Sequence, residues 1–285
     1  MRTTYRGACE EAKLVEVLQL ATPDVDWVDL KCDLYLEPHQ RVSKRLVFSG
    51  RDASNLPVDL NDSTLQGGPG TVNEGRDMIE VHSEEVTKRD AENEISSYGR
   101  PSNITIRNGR VDGSIRLWGM ATHGEGDGEK AIVCPTPQTC QEVDILATNQ
   151  LKKSSRLPNH TARAQGNAPT GIVLQGLTIY GNGRNPVYFG PGVTNSKLID
   201  SQVLGYSNQV AIYLDAESAD NTVKGNVIDV ATGDQPLTFW DRPLVAIDGS
   251  ARNRFINNNF SNLSLGGLYL YPNCGENGVI RHQAP

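Results

Sequence analysis

Asparagine recurs along this chain at regular intervals, and that regularity limits the fold more than any other feature. Four short blocks can be written under one another: Asn195-Ser196-Lys197-Leu198-Ile199, Asn221-Thr222-Val223-Lys224-Gly225, Asn253-Arg254-Phe255-Ile256-Asn257 and Asn277-Gly278-Val279-Ile280-Arg281. Their first residues lie 26, 32 and 24 positions apart. Ahead of each block comes a second short segment: Pro186-Val187-Tyr188-Phe189, Ala211-Ile212-Tyr213-Leu214, Leu244-Val245-Ala246-Ile247 and Gly267-Leu268-Tyr269-Leu270. Asn103-Ile104-Thr105-Ile106 and Thr170-Gly171-Ile172-Val173-Leu174 fit the same template. A period in the twenties, built from short strands and polar turns, marks a solenoid. The segments are rich in Ile, Val, Tyr and Thr, alternate with period two and are too short for helices, which favours a parallel β-helix over a leucine-rich or helical repeat.

One coil of such a fold cannot bury its inner face alone, so neighbours must stack about 4.8 Å apart. A turn residue that recurs then stacks on its copies. Asn suits that place because it tolerates left-handed backbone angles and its amide can bond along the stack. The expectation is a single domain over 1–285, with roughly eight to ten coils and Asn195, Asn221, Asn253 and Asn277 in one ladder.

The ends and one long gap depart from the period. Glu10–Ala21 holds Leu14, Val15, Val17, Leu18 and Leu20 among Glu and Lys, which predicts an amphipathic helix within an N-terminal cap over about residues 8–30. Apolar strands are expected around Trp27–Leu36, Arg45–Phe48 and Val58–Leu65. Sixty-seven residues separate Asn103 from Thr170, which predicts a long insertion between coils at about 112–168. The chain stops at Pro285 just after a ladder strand, so the last coil is expected to be uncapped or truncated, and open to oligomerisation through that end.

Charge narrows the partners. There are 27 Lys and Arg against 34 Asp and Glu, a net charge of −7, with no Lys/Arg-rich run. Nucleic acid is therefore not expected as the partner. No apolar stretch approaches the length of a membrane span. Met1–Tyr5 lacks the apolar core of a signal sequence, so either the protein is cytoplasmic or a leader precedes the sequence given. Five cysteines favour the second course: Cys9–Cys32 and Cys134–Cys140 would make two disulfides and leave Cys274 free, as suits a secreted or periplasmic protein. Five buried thiols are the alternative.

The recurring Asn turns, with Ala211-Ile212-Tyr213-Leu214-Asp215-Ala216-Glu217-Ser218 and Gly266-Gly267-Leu268-Tyr269-Leu270-Tyr271, resemble right-handed parallel β-helix proteins of the pectate-lyase-like superfamily over about residues 30–285. That superfamily includes pectate lyases, polygalacturonases, alginate lyases and epimerases, and phage tailspikes. The resemblance implies the fold and a polysaccharide ligand, but carries no catalytic residue across. The Asn-Thr-Asp, Asp-Asp, Gly-His-Gly and Arg-Ile-Lys set of polygalacturonases is not present here, nor is the Asp-Pro-His-Asp string of alginate epimerases.

Strand alternation selects the outward residues. Val187/Phe189, Ile212/Leu214, Val245/Ile247 and Leu268/Leu270 should point inward. Tyr188, Tyr213, Ala246 and Tyr269 then form one outward row, and Gly190, Asp215, Asp248 and Tyr271 a second. Exposed Tyr and Asp on a flat sheet suit a sugar platform. Asp215 and Asp248 on neighbouring coils would stand about 5 Å apart and could share a proton, act as a glycosidase pair, or hold Ca²⁺ with Glu217; they could equally cap turns. A lyase or epimerase needs a base and a cation beside a uronate carboxylate. Tyr213, Tyr269 and Tyr271 are candidates for the first, and His160, Arg156 and Arg163 in the insertion for the second; that stretch could also be a solvated basic loop. The expected function is an acidic-polysaccharide lyase or epimerase acting outside the cytoplasm, the alternative a non-catalytic glycan-binding or structural β-helix.

Overall fold

The computed structural model describes residues 4–10, 14, 18, 27–66, 77–87, 97–119, 160–215, 217–232, 245–248, 250–261 and 267–271. Strands are numbered in chain order. A nine-stranded parallel sheet is hydrogen-bonded in the order β1 (Thr4–Tyr5), β2 (Trp27–Asp29), β5 (Arg45–Ser49), β7 (Asp77–His82), β11 (Ser114–Leu117), β13 (Val187–Phe189), β16 (Ile212–Leu214), β19 (Val245–Asp248) and β22 (Leu268–Tyr271). A second sheet, of eleven strands, runs β3 (Leu34–Tyr35), β6 (Pro57–Leu65), β10 (Thr105–Asp112), β12 (Val173–Gly183), β14 (Lys197–Ile199), β17 (Thr222–Lys224) and β20 (Arg254–Ile256). It also holds β4 (Arg41–Val42) on β6, and β15 (Gln202–Ser207), β18 (Val227–Thr232) and β21 (Asn259–Phe260) stacked on the far half of β12. β8 (Glu84–Thr87) and β9 (Ser97–Gly99) form an antiparallel pair, and α1 spans His160–Asn167. From β5 onward the chain alternates between the two large sheets, and each return lies beside its last visit.

Alternation builds the core in columns. Val28, Leu46, Ile79, Ile115, Val187, Ile212 and Val245 are register partners in succession, all fully buried. Phe48, Val81, Leu117, Phe189 and Leu214 form a parallel column. The eleven-stranded sheet contributes Val58, Ile106, Leu174, Leu198 and Val223, and Leu65, Val111, Ile179, Val203 and Ile228. All belong to one apolar cluster, each side chain stabilising the fold by about 1.5–3 kcal/mol.

Two corners set the register. At the first, Asn55, Asn103, Gly171, Asn195, Asp220 and Arg252 all have left-handed backbones, with φ between 53° and 68°. Bridges Ser102–Thr170–Thr194–Ala219–Ala251 hold the last five in step. The residue after the left-handed one bonds to the next pass: Asn221 Oδ1 accepts from Ser196 N at 2.9 Å, and Asn253 Oδ1 from Asn221 N at 3.0 Å. Asn195 therefore stands one position out of line with Asn221 and Asn253, and Ser196 occupies the bonding place. This corrects the expected alignment; Asn277 lies outside the described residues. A second corner repeats the device with left-handed Asn108, Gly176, Asp200, Gly225 and Asn257. There Ser201 N donates to Asn226 Oδ1 at 2.9 Å, and Asn226 N to Asn258 Oδ1 at 3.1 Å.

At the N-terminal end, Leu14 and Leu18 are the residues of Glu10–Ala21 beyond Glu10 that are described; both are helical, and Leu18 is fully buried. Trp27–Asp29, expected as an apolar strand, is one of the nine-stranded sheet, and so is Ser114–Leu117, which was expected within the insertion. Cys9 and Cys32 are disulfide-bonded with Cα atoms 5.8 Å apart. Cys134, Cys140 and Cys274 lie outside the described residues.

The two kinds of corner residue should respond differently to truncation. Asn226 is buried, and its amide also donates to Leu198 O at 3.0 Å, so Asn226→Ala leaves buried backbone groups unbonded and should cost about 2–4 kcal/mol in urea denaturation. Exposed Asn195 supplies only its backbone angle and a turn: Asn195→Gly should be neutral within about 0.5 kcal/mol, and Asn195→Ala should cost about 1 kcal/mol. Equal losses at Asn226 and Asn195 would contradict this division.

Candidate functional site

Stacking carries the outward residues of the nine-stranded sheet into long rows. One row reads Asp29, Val47, Glu80, Arg116, Tyr188, Tyr213, Ala246 and Tyr269, each the register partner of the next. Two residues further along the strands, Ser49 pairs with His82 and Asp248 with Tyr271. Between them, Trp118 N, Gly190 N and Asp215 N bond to Val81 O, Leu117 O and Phe189 O, which continues the same row. The sequence reading captured the half of these rows from Tyr188 onward. It missed Asp29, Glu80, Arg116 and Trp118, which lie in or just after strands without the Asn blocks.

The centre of the face is a dense polar and aromatic cluster. The Arg116 guanidinium carbon lies 4.8 Å from the Tyr188 ring centroid and 5.5 Å from that of Trp118. Tyr188 meets Trp118 edge-on and Tyr213 at a tilt, each with centroids 5.7 Å apart. Arg116 Nε donates to Asp77 Oδ1 at 2.9 Å, and Arg184 Nη1 to Asp77 Oδ2 at 3.1 Å. Arg116 and Asp77 are nearly dry; removing the Asp77 charge would take the carboxylate from buried Arg116 at about 3–5 kcal/mol, whereas Asp77 without Arg116 would keep Arg184. Arg184 is half exposed.

Tyr188 was expected on an open platform. Alternation does point it away from the core, yet it is only 3 % exposed, and Asp215 only 5 %. The physical reason is the company they keep: Arg116, Trp118 and Tyr213 pack round the ring, and the phenol donates to Asp215 Oδ2 at 2.6 Å. That length suits a charge-assisted O–H···O⁻ bond. Asp215 also continues into a turn, its carbonyl accepting from Ser218 N. Tyr213 is half-buried, and Glu217 is buried at a left-handed turn position. Asp248, Tyr269 and Tyr271 are placed by backbone register alone, so the carboxylate separation expected for Asp215 and Asp248 is outside what is described.

The insertion touches the face through α1. Gln165 Nε2 donates to Glu217 O at 2.9 Å, and the α1 backbone at Ala164 lies so close to Gly192 that a Cβ there would stand 2.7 Å from it. Gly192 also has φ +76°, so two constraints demand glycine. α1 thus docks on the turns that follow β13 and β16. His160 and Arg163 are α1 residues placed by their backbone; Arg156 lies outside the described residues. Among the described residues, no group of three or more His, Cys, Asp or Glu is arranged to hold a metal ion. No described helix is long and apolar enough to cross a membrane.

At the N-terminal end of the face, Ser49 Oγ lies 2.7 Å from Asp29 Oδ2 and 2.9 Å from Glu84 Oε1. Burial pushes the Glu84 carboxyl up, but the Ser49 hydroxyl, Lys31 and Arg6 outweigh it and hold the group below its ordinary 4.5. A carboxylate lowered on folding contributes stability above its unfolded value, and that contribution is lost as pH falls through the folded one. Glu84→Gln should therefore be less stable than the parent chain at pH 7, and the gap should close as pH drops below about 4.5. A gap that widens with acid would contradict the assignment; urea denaturation at a series of pH values decides.

No protein-family model matches the chain, and no curated protein matches it. A solved structure that does is an Azotobacter vinelandii mannuronan C-5 epimerase module, the AlgE6 A-module, at 11 % identity. The match covers 93 % of this chain and 82 % of that one, with a TM-score of 0.27. A similarity of that size assigns neither fold family nor activity.

Proposed function

We propose that the chain is a right-handed parallel β-helix, and that the outer face of its nine-stranded sheet acts on an acidic polysaccharide, by lyase or epimerase chemistry rather than hydrolysis. The helix is supported by the alternation of the chain between stacked parallel sheets. The observation that carries the functional reading is the contact between a cation, a phenol and a carboxylate: Arg116 over Tyr188, and Tyr188 bonded to Asp215. Removing the C5 proton of a uronate requires a base and positive charge near the sugar carboxylate. Tyr188, with Asp215 ready to hold its proton, is the base or acid. Arg184, which shares Asp77 with Arg116, is the exposed cation a polymer would meet. Tyr213 and Tyr269 extend the contact along the row, with Asp248 and Tyr271 beside them, and His160, Arg156 and Arg163 add charge from the insertion. Ca²⁺ held by Asp215, Asp248 and Glu217 is the other use of the same carboxylates. The Cys9–Cys32 disulfide supports a secreted or periplasmic site of action.

The burial of Tyr188 and Asp215 favours a second reading, a non-catalytic glycan-binding or structural β-helix in which that hydrogen bond only holds two coils together. One experiment separates them. The parent chain, Tyr188→Phe and Asp215→Asn are offered a panel of polyuronates, following unsaturated product for a lyase and C5 hydrogen exchange in D₂O for an epimerase. On the proposal, Tyr188→Phe lowers turnover about 10²–10⁴-fold in a chain that still folds, a loss beyond what the stability of one buried hydrogen bond explains. Polyuronate binding by the parent chain with neither product nor exchange supports the second reading. With no binding either, the catalytic and glycan-binding readings fall and the structural one remains.

A further inference from the structure

The opposite side of the molecule carries a basic surface of a different character. On β14, β17 and β20 the inward residues are Leu198, Val223 and Phe255, so Lys197, Ile199, Thr222, Lys224, Arg254 and Ile256 face outward. Lys197, Thr222 and Arg254 are register partners on successive strands, and Lys224 stands beside Ile199 and Ile256 in the adjoining row. Two inter-strand steps place the Lys197 and Arg254 backbones about 10 Å apart, with Lys224 offset from the line between them.

All three cations are exposed. Elsewhere on this sheet and its corners, three exposed arginines each hold a carboxylate: Arg107 holds Asp59, Arg110 holds Asp112, and Arg252 holds Asp220. Lys197, Lys224 and Arg254 have no such partner among the described residues. The outward positions of these three strands include no acid. Of the corner acids, Asp220 is paired with Arg252, and the Asp200 carboxylate lies over Gly225, next to Lys224, without an ion pair to it among the described residues. In a chain of net charge −7, a flat face with three uncompensated cations set among Ile and Thr is a departure from the average surface.

We propose that the outer face of β14, β17 and β20 binds an extended anionic polysaccharide, its carboxylates or sulfates meeting Lys197, Lys224 and Arg254. The spacing suits a polymer better than a small anion: no two of the three cations occupy adjacent places in one row, whereas a chain with charge on successive sugars can engage all of them. Ile199 and Ile256 offer apolar contact for sugar rings between those charges. The proposal shares its ligand class with the function proposed above but uses none of the same residues, and it places a holding surface away from the face of the chemistry.

The test is equilibrium binding of polygalacturonate and polymannuronate to the full chain and to the triple variant Lys197→Gln, Lys224→Gln, Arg254→Gln. A neutral glucan and a single-stranded oligonucleotide of matched charge serve as comparisons. The expected result is that the triple variant keeps its melting temperature and binds polyuronate about tenfold or more weakly, with less dependence on salt than the parent. Unchanged polyuronate affinity in a folded triple variant overturns the proposal. So does an oligonucleotide bound as tightly as the polyuronate, which would make the face a general polyanion surface. Turnover separates the two proposals: the triple variant should retain any activity on short oligouronates, while Tyr188→Phe should lose that activity and keep its hold on the polymer.

Discussion

Everything in this molecule depends on one constraint: a short parallel strand can be held only by the strand before it and the strand after it. Neither β13 nor β16, three residues each, could persist alone. Their register has to be imposed from outside, and the corners impose it. At these corners a left-handed residue bends the chain, and from Gly171 and Gly176 onward the N–H of the next residue donates to a side chain of the following pass. Because successive passes keep one register, a side chain at one place finds its counterpart at the same place above and below. The columns of Val, Ile, Leu and Phe in the core follow from this, and so do the rows on the outer faces.

Stacking also concentrates chemistry that sequence distance would scatter. Asp77, Arg116, Arg184, Tyr188 and Asp215 are spread over about half of the chain, yet they form one contiguous cluster. The cost is that unlike groups must be reconciled within one small area. Buried Arg116 is tolerated because Asp77 meets it at one end and two aromatic faces cover the rest. On the other sheet the same stacking sets Lys197 and Arg254 in one row with Lys224 beside it, and there the charges remain in water.

The repeat was legible where polar corner residues recur, and it failed in two instructive ways. Asn195 was aligned with Asn221 and Asn253 because Asn fits both places at a corner. It can adopt the left-handed backbone, and its amide can bond to the next pass. The pairs Asn195-Ser196, Asp220-Asn221 and Arg252-Asn253 fill those two places with different residues, so the letter alone misleads by one position. The second failure was β11. Ser114–Leu117 follows β10 at once through Gly113 and carries no Asn block, so the long gap before Thr170 absorbed it. With β11 went Arg116 and Trp118, the cation and indole nearest Tyr188.

Alternation says which way a side chain points, but not what lies over it. Tyr188 does point outward, and the inference that it is open to solvent went a step further than period two allows. Whether an outward residue is exposed depends on its neighbours in the same row and on what covers the row. Tyr188 stands between Arg116 and Tyr213 and bonds to Asp215, while Lys197 and Arg254 have only Thr222 between them. Aromatic rings attract a cation and close over it, whereas lysines repel one another and stay apart. The same outward geometry therefore gives a dry, interlocked cluster on one sheet and an open, charged surface on the other. That contrast is the basis on which a chemical role is proposed for the first and a holding role for the second.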